Sequence, residues 1–238
     1  MDLAKQIQIY GDSIMKGVQL DTASERYYLP KENNFTVFQE EYPLDIHNNS
    51  KFGCTIEKGC QQLQKALDKD LACDMVLLEY GGNDCDYDWA KVAENPEKEH
   101  LPHTDIHTFE KVYRKMLSML KEHGLTPIMM SLPPVDGEKY LNWICHNGLN
   151  RENILKFLGD VQMIYRFQEL YSNAAVKIAR ETNTLLIDVR SIFLDKRNFK
   201  DLICEDGIHP NEEGHKLMKR VFEEFTSNYL KSGATAFA

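Results

Sequence analysis

Ser13, Asp206 and His209 are the residue types that acyl transfer through a serine requires. Ser13 closes Gly11-Asp12-Ser13 after a short apolar run, and Asp206-Gly207-Ile208-His209 puts a carboxylate three positions ahead of an imidazole. An aliphatic hydroxyl at its ordinary pKa is a poor nucleophile. It needs a base within hydrogen-bond reach and a third group that holds the base in the right tautomer. The reaction also needs donors aimed at the negative charge that develops on the carbonyl oxygen. Gly81-Gly82-Asn83-Asp84, at the end of the apolar run Met75-Val76-Leu77-Leu78, supplies the side-chain amide of Asn83. The backbone N–H groups of Ser13 and of Gly53, in Phe52-Gly53-Cys54-Thr55, complete an oxyanion hole. Only its place after the second expected strand separates Gly53 from Gly59 in this role. Asp12 and Asp84 read as carboxylates that fix loops, not as catalysts.

Each block taken singly has a plain structural reading. Gly-Asp-Ser is a turn that caps a helix, Gly-x-Asn-Asp is a turn signal, and Asn211 after His209 caps the last helix. Together and in this order, Gly-Asp-Ser, a lone Gly, Gly-x-Asn-Asp and Asp-x-x-His resemble the SGNH (GDSL-type) hydrolase family, over residues 7 to about 230. The resemblance implies flavodoxin-like strand order and a serine esterase acting on small O-acyl esters, O-acetyl above all, with carbohydrate esters among the candidates. Lysophospholipid or acyl-thioester hydrolysis uses the same triad. This is not the nucleophile elbow of α/β-hydrolases, because no Gly-x-Ser-x-Gly surrounds Ser13. The rival from another class is a flavodoxin-like binding protein that holds a phosphate or flavin at Gly11-Asp12-Ser13 and the helix N-terminus behind it. Against that rival stand the lack of a Gly-rich phosphate loop and the joint presence of Asp206 and His209.

The elements that must position these groups alternate along the chain. Residues 7–10, 45–47, 74–80, 126–130 and 184–188 read as short buried strands. Helical spacing marks Ile56, Leu63, Leu67 and Leu71, then Phe109 to Leu120, Val161 to Ile178 and Val221 to Tyr229. The alternation predicts an α/β fold, a three-layer α/β/α sandwich on a five-stranded parallel sheet. Ligands of such sheets bind beyond the carboxyl ends of the strands, where Ser13, Gly53 and Asn83 all fall. Residues 85–105 and 132–159 are long connections expected to shape the pockets. There Trp89, Tyr140, Trp143 and His146 either touch substrate or pack the loops.

With 238 residues, 42% of them hydrophobic, the chain is long enough for a single domain over 1–238 with a flexible tail at 231–238. A net charge of −9 disfavours nucleic acid and anionic membranes, both of which need clustered Lys and Arg. The partner expected is a small-molecule ester, and oligomeric state is left open. Six cysteines without a Cys-x-x-Cys pair, and a start without a basic and apolar leader pattern, predict reduced thiols in the cytoplasm. No cofactor and no metal are expected. His100, His103 and His107 lie close together, but Leu101-Pro102 breaks any helix that could align them. Asp84, Asp86 and Asp88 mimic a calcium loop without its closing Glu.

Overall fold

The computed structural model describes residues 5–30, 42 and 44–231. Its strands, in chain order, are β1 (Lys5–Tyr10), β2 (Gln19–Asp21), β3 (Arg26–Tyr28), β4 (Leu44–Asn48), β5 (Met75–Leu78), β6 (Thr126–Met130) and β7 (Leu185–Ile187). Five of them form a parallel sheet in the order β4-β1-β5-β6-β7, while β2 and β3 pair separately as an antiparallel hairpin. The register sets Ile9 beside Leu77, Leu77 beside Ile128 and Ile128 beside Leu185.

The central strand β5 is apolar throughout because both its faces are covered, whereas β1 and the edge strand β4 carry polar residues at their exposed positions. Successive side chains of a strand point to opposite faces, so Val76 and Leu78 enter one core while Met75 and Leu77 enter the other. The helices are α1 (Ser13–Lys16), α2 (Ile56–Leu67), α3 (Trp89–Glu94), α4 (Ile106–Glu122), α5 (Gly137–Cys145), α6 (Arg151–Leu158), α7 (Gln162–Glu181), α8 (Val189–Leu194) and α9 (Glu212–Lys231). From α2, α4 and α7, Leu63, Phe109, Tyr113, Leu120 and Ile178 close the first core. From α1, α8 and α9, Met15, Phe193, Met218 and Phe222 close the second. Each such side chain contributes about 1.5–3 kcal/mol on leaving water.

A third cluster lies past the carboxyl ends of β5 and β6, where Trp89, Val92, Tyr140, Leu141, Ile154 and Ile164 come together. It is built from the segments expected to be long loops, which instead carry α3, α5 and α6. Each of these helices starts on a side-chain cap. Asp88 accepts from the N–H of Lys91, Asp136 from Glu138 and Lys139, and Asn150 from Asn153.

The other boundaries differ by a few residues. The expected 74–80 strand ends at Leu78, so Glu79 and Tyr80 lie beyond it, and α2 stops at Leu67, leaving Leu71 packed against the first core from outside the helix. The hairpin β2–β3 was not anticipated. Lys231, placed in the tail by sequence, is the last helical residue, and the remainder of that tail lies outside the described residues. Among the described residues, no helix is long and apolar enough to cross a membrane.

Candidate active site

The segment bearing His209 is folded back on itself by its own backbone. Ile203 and Pro210 form an isolated antiparallel bridge, and Cys204 N–H donates to the His209 carbonyl at 2.8 Å. Asp136 N–H, at the start of α5, donates to the Gly207 carbonyl at 2.8 Å and ties this loop to the third cluster. Asn211 then caps α9 by accepting from Gly214 N–H at 3.1 Å. Inside the loop, Asp206 Oδ1 accepts from the N–H groups of Ile208 and His209 at 3.0 and 3.1 Å. Its Oδ2 meets His209 Nδ1 at 2.5 Å. One carboxylate therefore fixes both the loop and the ring.

Ser13 opens α1 immediately after β1. Asp12, the cap of that helix, accepts from Ile14 N–H at 2.8 Å. The Ser13 hydroxyl points across the end of the sheet, and its Oγ lies 2.8 Å from His209 Nε2 although 196 positions separate them. Ser13, His209 and Asp206 are all buried. Burial works to raise the Asp206 carboxyl, but the bond and charge of His209 and the two backbone donors outweigh it and hold Asp206 below the usual carboxylate range. The carboxylate thus stays ionised beside the imidazole.

Asn83 reaches the same place from the loop after β5. Its Nδ2 donates to Asp12 Oδ2 at 2.9 Å, which leaves its second amide hydrogen for a ligand, and its backbone carbonyl accepts from His103 Nδ1 at 3.0 Å. Ser13, Asn83 and His209 share the mouth of a cavity of about 80 Å³, whose walls include Leu132, Val135, Ile164, Phe167 and Ile208.

Gly53 stands apart from that cavity. It occupies a turn closed by Cys54 N–H to the Lys51 carbonyl at 3.3 Å, with φ of +65°, the left-handed conformation that the third position of such a turn demands. The adjacent Phe52 ring stacks on the His209 imidazole with centroids 6.0 Å apart. Gly59 is a different kind of glycine. It lies within α2, where a Cβ would come within 2.2 Å of the Tyr80 hydroxyl. Neither Ser13 N–H nor Gly53 N–H has an acceptor among the described residues.

Other residues singled out by sequence have local structural partners. Asp84 accepts from Ile56 N–H at 2.9 Å and so starts α2, while burial pushes its carboxyl up to about 7. Asp86 accepts from Trp89 Nε1 at 2.8 Å and from the Tyr140 hydroxyl at 2.7 Å. His100 bonds to the Asn95 carbonyl, away from the Asn83 carbonyl that His103 engages. Trp143 and His146 stack on each other with centroids 4.5 Å apart.

Two groups beside the site went unnoticed in the sequence. Tyr27, on the unanticipated hairpin, sets its ring 5.1 Å from that of His209. Glu79 is fully buried next to Asp12, whose N–H it accepts at 3.4 Å, and its other oxygen has no partner among the described residues. A lone acid inside the run Leu78-Glu79-Tyr80 was the available signal. The helix that would have to bind phosphate in the rival reading is four residues long, and the Asp12 carboxylate already sits at its N-terminus. An anion there meets a negative charge.

With this geometry in place, the similarity to known proteins is specific. Residues 9–217 match the GDSL-like lipase/acylhydrolase family. The chain is 25% identical over 206 residues to the GDSL esterase/lipase CPRD49 of Arabidopsis thaliana, covering 82% of this chain and 73% of that protein. It shares its fold with LAE5, an alpha/beta hydrolase enzyme from the metagenome of Lake Arreo, Spain, at a TM-score of 0.66 and 18% identity over 95% of this chain and 97% of that one. An acetyl xylan esterase from Geobacillus stearothermophilus superposes at a TM-score of 0.61 with 20% identity, over 93% and 94% of the two chains. The chain belongs to the GDSL-like lipase/acylhydrolase family and is a carboxylic ester hydrolase.

Proposed function

We propose that this protein hydrolyses short-chain O-acyl esters, acetyl esters included, through an acyl-enzyme on Ser13. The 2.8 Å contact between Ser13 Oγ and His209 Nε2 carries this reading. His209 takes the hydroxyl proton as Oγ attacks the ester carbonyl, and Asp206 stabilises the imidazolium so formed. The oxyanion is received by the N–H groups of Ser13 and Gly53 and by the free amide hydrogen of Asn83. The loss of one such donor typically lowers kcat by about 10² to 10³. His209 then returns the proton to the departing alcohol, and a water attacks the acyl-enzyme by the same route.

The cavity supports the short acyl group. A water-sized group needs roughly 10–15 Å³ of such space, so about 80 Å³ accommodates an acyl chain of a few carbons and not a fatty-acid tail. This favours small O-acyl esters over lysophospholipids and long acyl thioesters. The alcohol leaves on the side of His209 flanked by Tyr27 and Phe52, flat apolar surfaces suited to a ring such as a sugar. The six cysteines are free, in keeping with the reading of a cytoplasmic enzyme.

Reaction with a fluorophosphonate probe, mapped by mass spectrometry, tests the nucleophile. The label is expected on Ser13, and Ser13→Ala is expected to lose both the label and at least about 10⁴-fold in the hydrolysis of a short aryl ester. A folded Ser13→Ala protein that keeps its activity sinks the assignment.

A further inference from the structure

The turn that brings Phe52 against His209 also forms one wall of a second concavity on the outer side of the same ring. This groove, of about 330 Å³, is lined by Lys51, Phe52, Lys58, Gln62 and Lys65, together with the backbone around Gly53. Lys58, Gln61, Gln62 and Lys65 belong to α2 at spacings of three, four and seven, which puts them on one helix face. Lys51 reaches the same groove from the loop. Three lysines thus line one hollow with no acidic side chain among the lining residues.

That arrangement is unexpected on a protein of net charge −9. Several lysines elsewhere pair with acids: Lys5 with Asp74, Lys91 with Asp88, Lys139 with Glu205, and Lys216 with Glu212 and Glu213. No carboxylate pairs with Lys51, Lys58 or Lys65 among the described residues. Three unpaired like charges around one hollow repel each other, and an anion seated between them removes that cost.

Phe52 lies in both places. Its ring stacks on His209 and contacts Tyr27 at a centroid distance of 5.2 Å, and the same residue lines the groove with the lysines. A substrate with its ester at Ser13 and a ring against Tyr27 and Phe52 therefore extends toward the groove. We infer that the groove binds an anionic substituent, a carboxylate or a sulfate or phosphate group, carried on the alcohol portion of the ester about one ring away from the scissile bond. The inference rests on the esterase reading above and adds to it the charge of the substrate.

The test compares kcat/KM for 4-acetoxybenzoate with that for the neutral 4-acetoxybenzamide, in the wild type and in a Lys51→Gln, Lys58→Gln, Lys65→Gln triple variant. Glutamine keeps the helix propensity, and the ratio of ratios cancels the difference between the leaving groups. The wild type is expected to favour the anion about tenfold more than the variant does at low salt, since one exposed charge pair gives roughly a fivefold preference. The advantage shrinks toward one as ionic strength rises and shortens the screening length. A parallel pair, 4-acetoxybenzenesulfonate against its sulfonamide, separates a carboxylate ligand from a sulfate-like one. A preference in either pair that the triple variant loses supports the groove. Turnover without such a preference, or a preference the variant retains, overturns the groove and leaves the esterase intact. Failure of the wild type to hydrolyse any of the four esters, with Ser13 unlabelled by fluorophosphonate, overturns the esterase reading and the groove with it.

Discussion

Nδ2 of Asn83 lies 2.9 Å from Oδ2 of Asp12, and through Asp12 the amide is tied to a second buried acid, Glu79. Burial raises both carboxyls above their ordinary values, and two like charges so enclosed do not both ionise. Asp12 accepts from Ile14 and Asn83, and burial raises Glu79 well above its ordinary value, so Glu79 is expected to hold the proton. Glu79→Gln, neutral and nearly the same shape, is expected to keep kcat within about threefold, because a preserved hydrogen bond changes little. A loss of more than about 100-fold in a folded Glu79→Gln enzyme means that Glu79 works ionised.

The two glycines on either side of Thr55 differ in what an added methyl group does. Gly59→Ala drives a Cβ into the ring of Tyr80, itself buried in the first core. The overpacking should cost about 1–3 kcal/mol, read by urea denaturation, with little change in kcat for the folded fraction. Gly53→Ala meets open space but must hold φ near +65°, a strain of about 1 kcal/mol. As the turn relaxes, its N–H shifts, and kcat should fall about tenfold. A Gly53→Ala enzyme with undiminished kcat removes this turn from the oxyanion machinery.

Asp84 makes stability depend on pH in a definite direction. Burial raises its folded-state pKa to about 7, against about 3.9 in an unfolded chain. The folded state therefore binds this proton more tightly, and stability is lost as pH climbs from about 4 through about 7. The melting temperature should fall between pH 5 and pH 8. Asp84→Asn still offers an oxygen to Ile56 N–H and carries no charge, so its curve should be flatter, by at least about 3 °C over that interval. Parallel curves for the two proteins show that the Asp84 carboxyl does not titrate there.

Acyl chain length reads the cavity directly. For p-nitrophenyl esters, kcat/KM should hold from acetate to about hexanoate, the chain that roughly 80 Å³ admits, and decline beyond it. Val135 lies on the cavity wall, and Val135→Phe should cut butyrate turnover by about tenfold relative to acetate, one lost apolar contact being worth about 10–200-fold. Equal rates from acetate to palmitate place the acyl group outside this cavity.

Much of the site was legible because its chemistry is carried by residue types in short fixed arrangements. Asp206 and His209 are three positions apart, within one turn of backbone, so their pairing is local and the sequence could announce it. The strand and helix alternation was equally visible, since two covered faces require unbroken apolar runs such as Met75-Val76-Leu77-Leu78. The helices of 85–105 and 132–159 escaped detection because they are short and have apolar faces that cover one another. Their caps Asp88, Asp136 and Asn150 were the signals left in the open. Tyr27 was illegible as a site residue, because its hairpin is only three residues per strand and its position depends on a long-range approach to His209.

By itself the sequence determined the chemistry of the triad, the order in which its members occur and the type of sheet that presents them, because propensity, capping and hydrophobic period are properties of near neighbours. Tertiary structure alone set Gly53 in an open turn and Gly59 inside a helix against Tyr80, paired Asp12 with Glu79, bounded the cavity and drew Lys51, Lys58 and Lys65 around one hollow. Those outcomes depend on distances between residues far apart in the chain, which only the packing of helices against the sheet sets.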